Sequence, residues 1–521
     1  MSGLKMNLEK TKVVWIGKKK FSQDTMCIKW GLEWGSSRFT LLGIKFSVDL
    51  YEMEKLNYEP KFKEFERTIK FWSTQNLSPI GKITVIKTLI ISKLNHLFIT
   101  LPSPNNILLN QFINKLFGFI WNEKPDKIKR NSISQSYELG GLKMIDVKQY
   151  IKSLKLTWIR RMIRQTSNYS TLLLSAEGMN IIDLIHLGPS KKVNNPFWQE
   201  VFNAWSELQN KVTVKNNDDF FSCNIWKNKE IKVGNQTLFY REWTIKGIWI
   251  VNDLLNEEGH FMKYEEFQNT YHINTNFLRY QSLISAVKSF MKRLDIRNDS
   301  VQKIYGPVIP SSIKIFLKSV KGSKDMYRIL NYKKPTITPQ EKWLIILNKN
   351  FIPWRKIYRL PYNITKNTRL QWLQYRIAHR ILGTNEFLFK IKIKQSNKCE
   401  FCKDTPETIE HIFWTCPKII DLWENLNNWI YTMTQIELPL NMCIVLFGII
   451  ETNERNYIRN LIILITKYYI YRCKMSCEQV NIFALKNYLK ENLTIEKFIF
   501  NKNNTLEKVD NCWNPWTRIL E

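Results

Sequence analysis

The chain has 521 residues, 44% hydrophobic and 13% aromatic, which excludes a disordered chain and leaves room for about three or four domains. Lysine and arginine number 78 against 46 aspartates and glutamates, a net +32 spread along the whole length. Such a charge points to a polyanionic partner, nucleic acid before anionic membrane, although Lys- and Asn-rich codon usage would inflate the same number.

The first residues, MSGLKMNLEKTK, lack the apolar core of a signal peptide. No apolar run is expected to span a bilayer: Met442–Ile450 stops at Glu451, and Leu461–Ile465 stops at Thr466. Nine cysteines without regular spacing argue against a disulfide framework. The expected setting is therefore reducing, nucleus or cytoplasm, with no membrane partner.

In chain order, GLKMNLEKTKVVWIG reads as a turn and short helix entering a strand at Val13–Ile16, and Phe39–Phe46 reads as a second strand with Gly43 inside it. The two look like part of a larger sheet. Helices follow. Phe62, Phe65, Ile69 and Trp72 recur at helical spacing, as do Ile83, Ile86, Ile90 and Leu94 after the break at Pro79 and Gly81. A third stripe carries Leu109, Phe112, Leu116, Ile120 and Trp121, and a fourth carries Ile151, Leu154, Trp158 and Met162. Their expected outer faces hold Lys82, Lys87, Lys127, Lys129, Arg130, Arg160, Arg161 and Arg164, which could track a phosphate backbone or simply be solvated. Between 166 and 340 the pattern is mixed: Phe239–Trp243 and Trp249–Leu255 are small pieces of either kind, Asn216–Asp219 a polar loop, and Ser319–Lys333 a linker. From Trp343 helical spacing returns. Leu370, Leu373, Ile377 and Ile381 are interleaved with Trp372, Tyr375, Arg376, His379 and Arg380, a mixture suited either to core packing or to stacked bases and phosphates. Lys390, Lys392, Lys394 and Lys398 lead into the next motif. A helix is predicted over 417–429, an apolar helix over 444–473, and a polar Asn/Lys end.

That motif is CEFCKDTPETIEHIFWTC. Cys399, Cys402, His411 and Cys416 have C-x2-C-x8-H-x4-C spacing. A tight turn can aim the first two sulfurs at one ion, and a helix or distorted turn can aim His411 and Cys416 at the same point. Three thiolates and an imidazole close a tetrahedron, which suits a structural Zn2+ with no open catalytic position. No catalytic residues emerge. The one Asp-Asp pair, Asp218-Asp219, follows two asparagines and reads as a solvated loop, and no phosphate loop, HExxH or GxSxG is present.

These landmarks resemble, in order, the reverse transcriptases of LINE-type non-LTR retrotransposons. GLKMNLEKTKVVWIG resembles the segment after the catalytic hairpin, and FTLLGIKFS resembles the primer-grip hairpin. WSTQNLSPIGKITVIKTLIISKLNH, FIWNEKPDKIKR and GGLKMIDVKQYIKSLKLTWIRRM resemble the thumb. LQWLQYRIAHRILGTNEFLFKIKIKQSNKCEFCKDTPETIEHIFWTCPKIIDLW is similar to the C-terminal reverse-transcriptase zinc-binding segment. The resemblance implies a mainly α chain with a small β remnant. Its implied layout is the end of the palm (1–50), a helical thumb (51–165), a connector (166–340), the zinc-binding domain (341–432) and a helical tail (433–521). It implies a role in target-primed reverse transcription, with element RNA, target DNA and their hybrid as partners. Leu41, Leu42 and Gly43 would sit at the primer terminus, and the helices of 60–164 would grip the hybrid. Lys82, Lys87, Lys127, Lys129, Arg130, Arg160, Arg161, Arg376 and Arg380 are the candidate nucleic-acid contacts. The family's fingers, its Mg2+-holding carboxylates and its endonuclease are expected upstream of Met1, so this chain alone holds no metals for polymerisation. Two other readings stay open: a stand-alone zinc-dependent nucleic-acid-binding protein, or a structural protein whose zinc only holds a fold.

Overall fold

The computed structural model describes residues 7, 11–13, 33–34, 38–163, 193, 195–211, 217–296, 322–332, 338–451, 455–504 and 512–520. It is mainly helical, with strands only in short two-stranded pairs. The chain packs into two compact units built from separate segments. The first takes 1–67, 91–113 and 146–332; the second takes 68–90, 114–145 and 333–521. The segment 51–165 thus contributes to both.

In the first unit the stretch that reads by pattern as one strand, and that the resemblance gives as a hairpin, is a hairpin. Arg38–Leu41 pairs antiparallel with Ile44–Ser47, and Phe39 stacks on Phe46 at 5.2 Å. The reversal occurs because Leu42 (φ 49°) and Gly43 (φ 78°) are both left-handed, the two-residue turn that matches strand twist. Asn57 pins the hairpin to the next helix, accepting from Lys45 N at 2.9 Å and donating to Lys45 O at 2.7 Å. Of the strand expected at Val13–Ile16, Val13 is described, paired in parallel with Trp34; the rest of that strand and most of the GLKMNLEKTKVVWIG segment lie outside the described residues.

The Leu50–Ser73 helix presents Tyr58, Phe62 and Phe65 to Phe98 and Phe112, with Phe62 and Phe112 stacked at 4.4 Å. The Val147–Ile163 and Pro196–Lys211 helices share a core with Ser323–Asn331, whose Met326 and Leu330 are fully buried. This corrects the linker expected at Ser319–Lys333: Met326 and Leu330, four apart, form an apolar stripe that the surrounding charge obscures. Asn217–Phe221 is likewise a short helix and not a loop, because Phe220 and Phe221 are pulled into the core of the 217–296 lobe. In that lobe Arg241–Ile245 is α-helical and Val251–Leu254 a 3-10 turn.

In the second unit Pro79–Val85 begins as the Pro-Gly signal predicts: the Ser78 hydroxyl accepts from Gly81 N at 3.2 Å and Pro79 occupies the first turn. A single core gathers the helices Trp354–Ile364, Thr368–Ala378, Pro417–Thr434, Met442–Phe447, Arg455–Ser476 and Ile482–Asn503. The polar end expected after Cys473 is therefore corrected. Leu485, Leu489 and Leu493 form a buried stripe four residues apart, and Trp513, Trp516 and Ile519 are buried beyond it.

One stretch contradicts the expectation that no apolar run is long enough to span a bilayer. Pro79–Thr100 passes by length and composition, since its lysines are spaced widely enough to leave an apolar window. In the fold it is interrupted by a π turn at Ile86–Ile90 and a 3-10 turn at Ile91–Leu94.

Candidate metal centre

Cys399, Cys402, His411 and Cys416 converge. Their nearest ligand atoms all lie within 4.8 Å of one another, and this is the one Cys/His/carboxylate group of metal-binding form among the described residues. A tetrahedron with zinc–sulfur arms of 2.3 Å has edges of about 3.8 Å, so the four atoms need only contract slightly onto one ion. Cys402 Sγ and His411 Nε2, at 3.4 Å, are already at such an edge.

Local backbone explains the convergence. Residues 397–407 close a knuckle: Cys399 N donates to Thr405 O at 2.8 Å, Glu407 N donates to Asn397 O at 2.8 Å, and Lys398 bridges Pro406 antiparallel. The chain turns at Lys403, which is left-handed (φ 60°), and Lys403 N closes onto Cys399 O at 3.0 Å. The other pair sits on a π turn, His411–Thr415, where Cys416 N donates to His411 O at 3.0 Å. A π turn closes over five residues, which is the separation that brings His411 and Cys416 onto one side. An ordinary α-turn would rotate Cys416 past the site.

The imidazole is oriented from behind. His411 Nδ1 lies 3.2 Å from Thr415 Oγ1, and a proton held there leaves Nε2 free to bind a metal beside Cys402. Phe401 N points at Cys399 Sγ at 3.4 Å, an amide suited to a thiolate. The Cys399 and Cys416 sulfurs face each other across the site: hydrogen bonding to Cys416, then burial, raises the Cys399 thiol, and the same interaction lowers Cys416. Burial pushes Cys402 up, but the Thr405 and Asp404 amides, the Thr405 hydroxyl and His411 outweigh it and leave it below its usual value. Cys402 and Cys416 are thus biased toward thiolate, and three sulfurs with one imidazole fit a Zn2+ ion with no vacant position.

The site belongs to the core of the second unit. Cys399, Cys416, Ile412 and Phe413 are fully buried beside Ile419, Trp423 and Ile462, and Trp423 Nε1 donates to Phe413 O at 2.9 Å. Sequence reasoning missed the residues that tie the knuckle down. Glu407 is completely buried and pairs with buried Lys474 at 2.9 Å; it also accepts from Asn385 N at 2.8 Å and Glu400 N at 3.1 Å. Lys474 donates in addition to Gly383 O. The available signal was a Glu inside the loop between the ligand pairs and a Lys in the last turn of a helix with a long apolar stripe.

Residues 323–423 match the family model for zinc-binding in reverse transcriptase. The match encloses all four ligands. It supports a reverse-transcriptase-related protein and, with the converged cluster, a structural Zn2+.

The candidate nucleic-acid contacts fare unevenly. In the second unit Lys82 is not on an outer face: it is 3% exposed, donates to Phe119 O at 2.8 Å and to Asn122 Oδ1, and so closes the carbonyl end of the Asn106–Trp121 helix. Arg380 is held by Glu410 and lies 4.4 Å over the Trp343 ring. Arg376 reaches Tyr471 OH at 3.2 Å and lies over both Trp372 and Tyr471. Arg130 is exposed but paired with Asp126 at 2.7 Å, over Phe117. Lys129 and Lys127 are exposed. Protein crowding, then repulsion from Arg376 and Lys124, lowers the Lys127 ammonium. Lys87 is half-buried and lowered by burial and then by Lys143. In the first unit Arg161 is exposed over the Trp158 ring at 4.6 Å, whereas Arg160 is half-buried with its Nε enclosed and unbonded. Arg164 lies outside the described residues. At the hairpin tip Leu41 is 57% and Leu42 91% exposed, beside Gly43.

Proposed function

We propose that this chain is the nucleic-acid-binding C-terminal part of a LINE-type non-LTR retrotransposon reverse transcriptase, acting in target-primed reverse transcription in the nucleus or cytoplasm. The observation that carries the reading is the reverse-transcriptase zinc-binding match, with its four ligands converged, inside a chain of net charge +32. Structural zinc leaves no open coordination position, so the metal's part is to hold a surface and not to activate water. The partners are element RNA, target DNA and the hybrid between them; the exposed Lys127, Lys129 and Arg161 are suited to phosphates.

The hairpin tip supports a primer-contact role. Leu42 is almost fully exposed and left-handed, a conformation that costs a non-glycine residue about 1 kcal/mol or more. The hairpin turn accounts for its backbone, whereas its side chain is left exposed, and an apolar tip suits the sugar and base of a strand end. Among the described residues no carboxylate cluster is arranged for Mg2+-dependent chemistry: Asp218 and Asp219 lie in the first turn of a short helix, and no further metal-binding group joins them.

The test is binding of a labelled RNA–DNA hybrid by the full chain across a salt series. Affinity should fall linearly on a log–log plot with a slope reporting several phosphate contacts. Absence of binding at low salt would favour the reading in which zinc only maintains a fold.

A further inference from the structure

The lobe leading into the zinc knuckle has the wrong surface for a purely structural element. Residues 385–393 contain Asn385–Lys390 as a short helix, ended by Lys392 in a left-handed conformation. The sequence FLFKIKIK alternates apolar and cationic residues, which would suit a half-buried strand. The chain instead closes with Lys392 N on Phe389 O at 2.9 Å and Ile393 N on Leu388 O at 2.8 Å. That closure leaves Phe387 (41%), Phe389 (46%), Ile391 (46%) and Ile393 (68%) exposed, and none of the four belongs to the core around the zinc ligands.

The same lobe holds a cleft of about 250 Å3 lined by Lys394, Lys398, Lys403 and Glu400, among others. From 385 to 403 the lobe carries five lysines and two glutamates. Glu386 takes Lys390 at 2.7 Å, and Glu400 takes Lys394 and Lys403 at 2.6 and 2.7 Å. Lys392 and Lys398 have no acidic partner among the described residues and are exposed. The lobe is rigidly presented: Asn385 N is held by Glu407, Asn385 Nδ2 donates to Lys398 O at 2.7 Å, and Glu386 N donates to Glu407 O at 3.3 Å.

We propose that this lobe binds single-stranded nucleic acid, with unpaired bases laid on Phe387 and Phe389 and phosphates held by Lys392, Lys398 and the cleft. Charge complementarity selects a polyanion. Exposed rings select one with accessible base faces, because bases inside a duplex are already stacked and out of reach. The proposal rests on the nucleic-acid reading above and narrows it to one surface and one strandedness.

The experiment measures binding of a short labelled oligouridylate and of a labelled RNA–DNA hybrid to the full zinc-loaded chain and to two variants, Phe387→Ala/Phe389→Ala and Lys392→Glu/Lys398→Glu. All four positions are exposed, so both variants should keep the parent circular dichroism spectrum. The aromatic variant should lose roughly tenfold or more in oligouridylate affinity and keep its hybrid affinity. The lysine variant should bind oligouridylate more weakly with a shallower salt slope. Oligouridylate binding unchanged in both variants, with hybrid binding intact, overturns the inference and leaves the broader reading standing. An equal loss on the hybrid overturns the single-strand assignment. A parent protein that binds neither probe at low salt overturns both.

Discussion

Lys474→Met should destabilise the second unit more than any surface change of similar size. Glu407 is completely buried, and among the described residues Lys474 supplies its counter-charge, at 2.9 Å. Removing the ammonium leaves the carboxylate with the Asn385 and Glu400 amides alone and takes a donor from Gly383 O. Breaking a buried pair from one side typically costs about 3–5 kcal/mol. The two amides retain part of the solvation, so the expected loss is about 3 kcal/mol. Glu407→Gln keeps one acceptor oxygen and should cost less, about 1–2 kcal/mol. The double variant should cost less than the sum of the singles by about 1–2 kcal/mol, since neither orphaned charge remains. Urea unfolding of zinc-loaded protein, followed by tryptophan fluorescence, reads these values, because Trp343, Trp423 and Trp513 are fully buried in the core that holds the site. A Lys474→Met loss below about 1 kcal/mol, or strict additivity in the cycle, would show that the pair does not anchor the knuckle.

Three further outcomes are expected. Chelation of zinc should raise hydrogen exchange beyond the knuckle itself, in Pro417–Thr434 and Arg455–Ser476, because Cys399 and Cys416 lie in the same core as those helices; an effect confined to residues 397–416 would contradict this. His379 is stacked between Tyr358 at 5.1 Å and Tyr375 at 4.1 Å, and burial pushes its imidazole down to about 4. Its folded value lies below its unfolded value, so its contribution is fully present above pH 6.5 and is lost as the pH falls toward 4. The loss is about 3 kcal/mol at most, and His379→Phe should flatten that part of the stability profile relative to the parent. Leu42→Asn should stabilise the hairpin by up to about 1 kcal/mol, since Asn tolerates the left-handed turn. The same change should weaken hybrid binding; equal affinity would remove Leu42 from the primer-contact role.

The zinc site was legible because its determinants are local: two short spacings and a turn-forming loop specify which atoms can meet. The helix starting at Pro79 was legible for the same reason, through Ser78, Pro79 and Gly81. What failed were inferences about faces. Lys82 falls on the polar side of its stripe, yet Phe119 O and Asn122, nearly forty residues away, draw it inside. Arg380 reads as a free cation until Glu410 arrives from thirty residues downstream. The Ser323–Asn331 and Ile482–Asn503 helices were hidden because their apolar stripes are narrow and the intervening residues are Lys and Asn, so composition outweighed periodicity. Glu407 could not be singled out, because a glutamate in a polar loop looks solvated until the fold surrounds it.

The most direct test is metal content measured by mass spectrometry on protein purified without added metal, compared with a Cys399→Ser/Cys416→Ser variant. One zinc per parent chain, lost in the variant together with the cooperative unfolding of the second unit, is the predicted result. A metal-free parent that unfolds as cooperatively as the loaded one, or a variant that retains its zinc, would contradict the assignment of these four residues as the ion's cage.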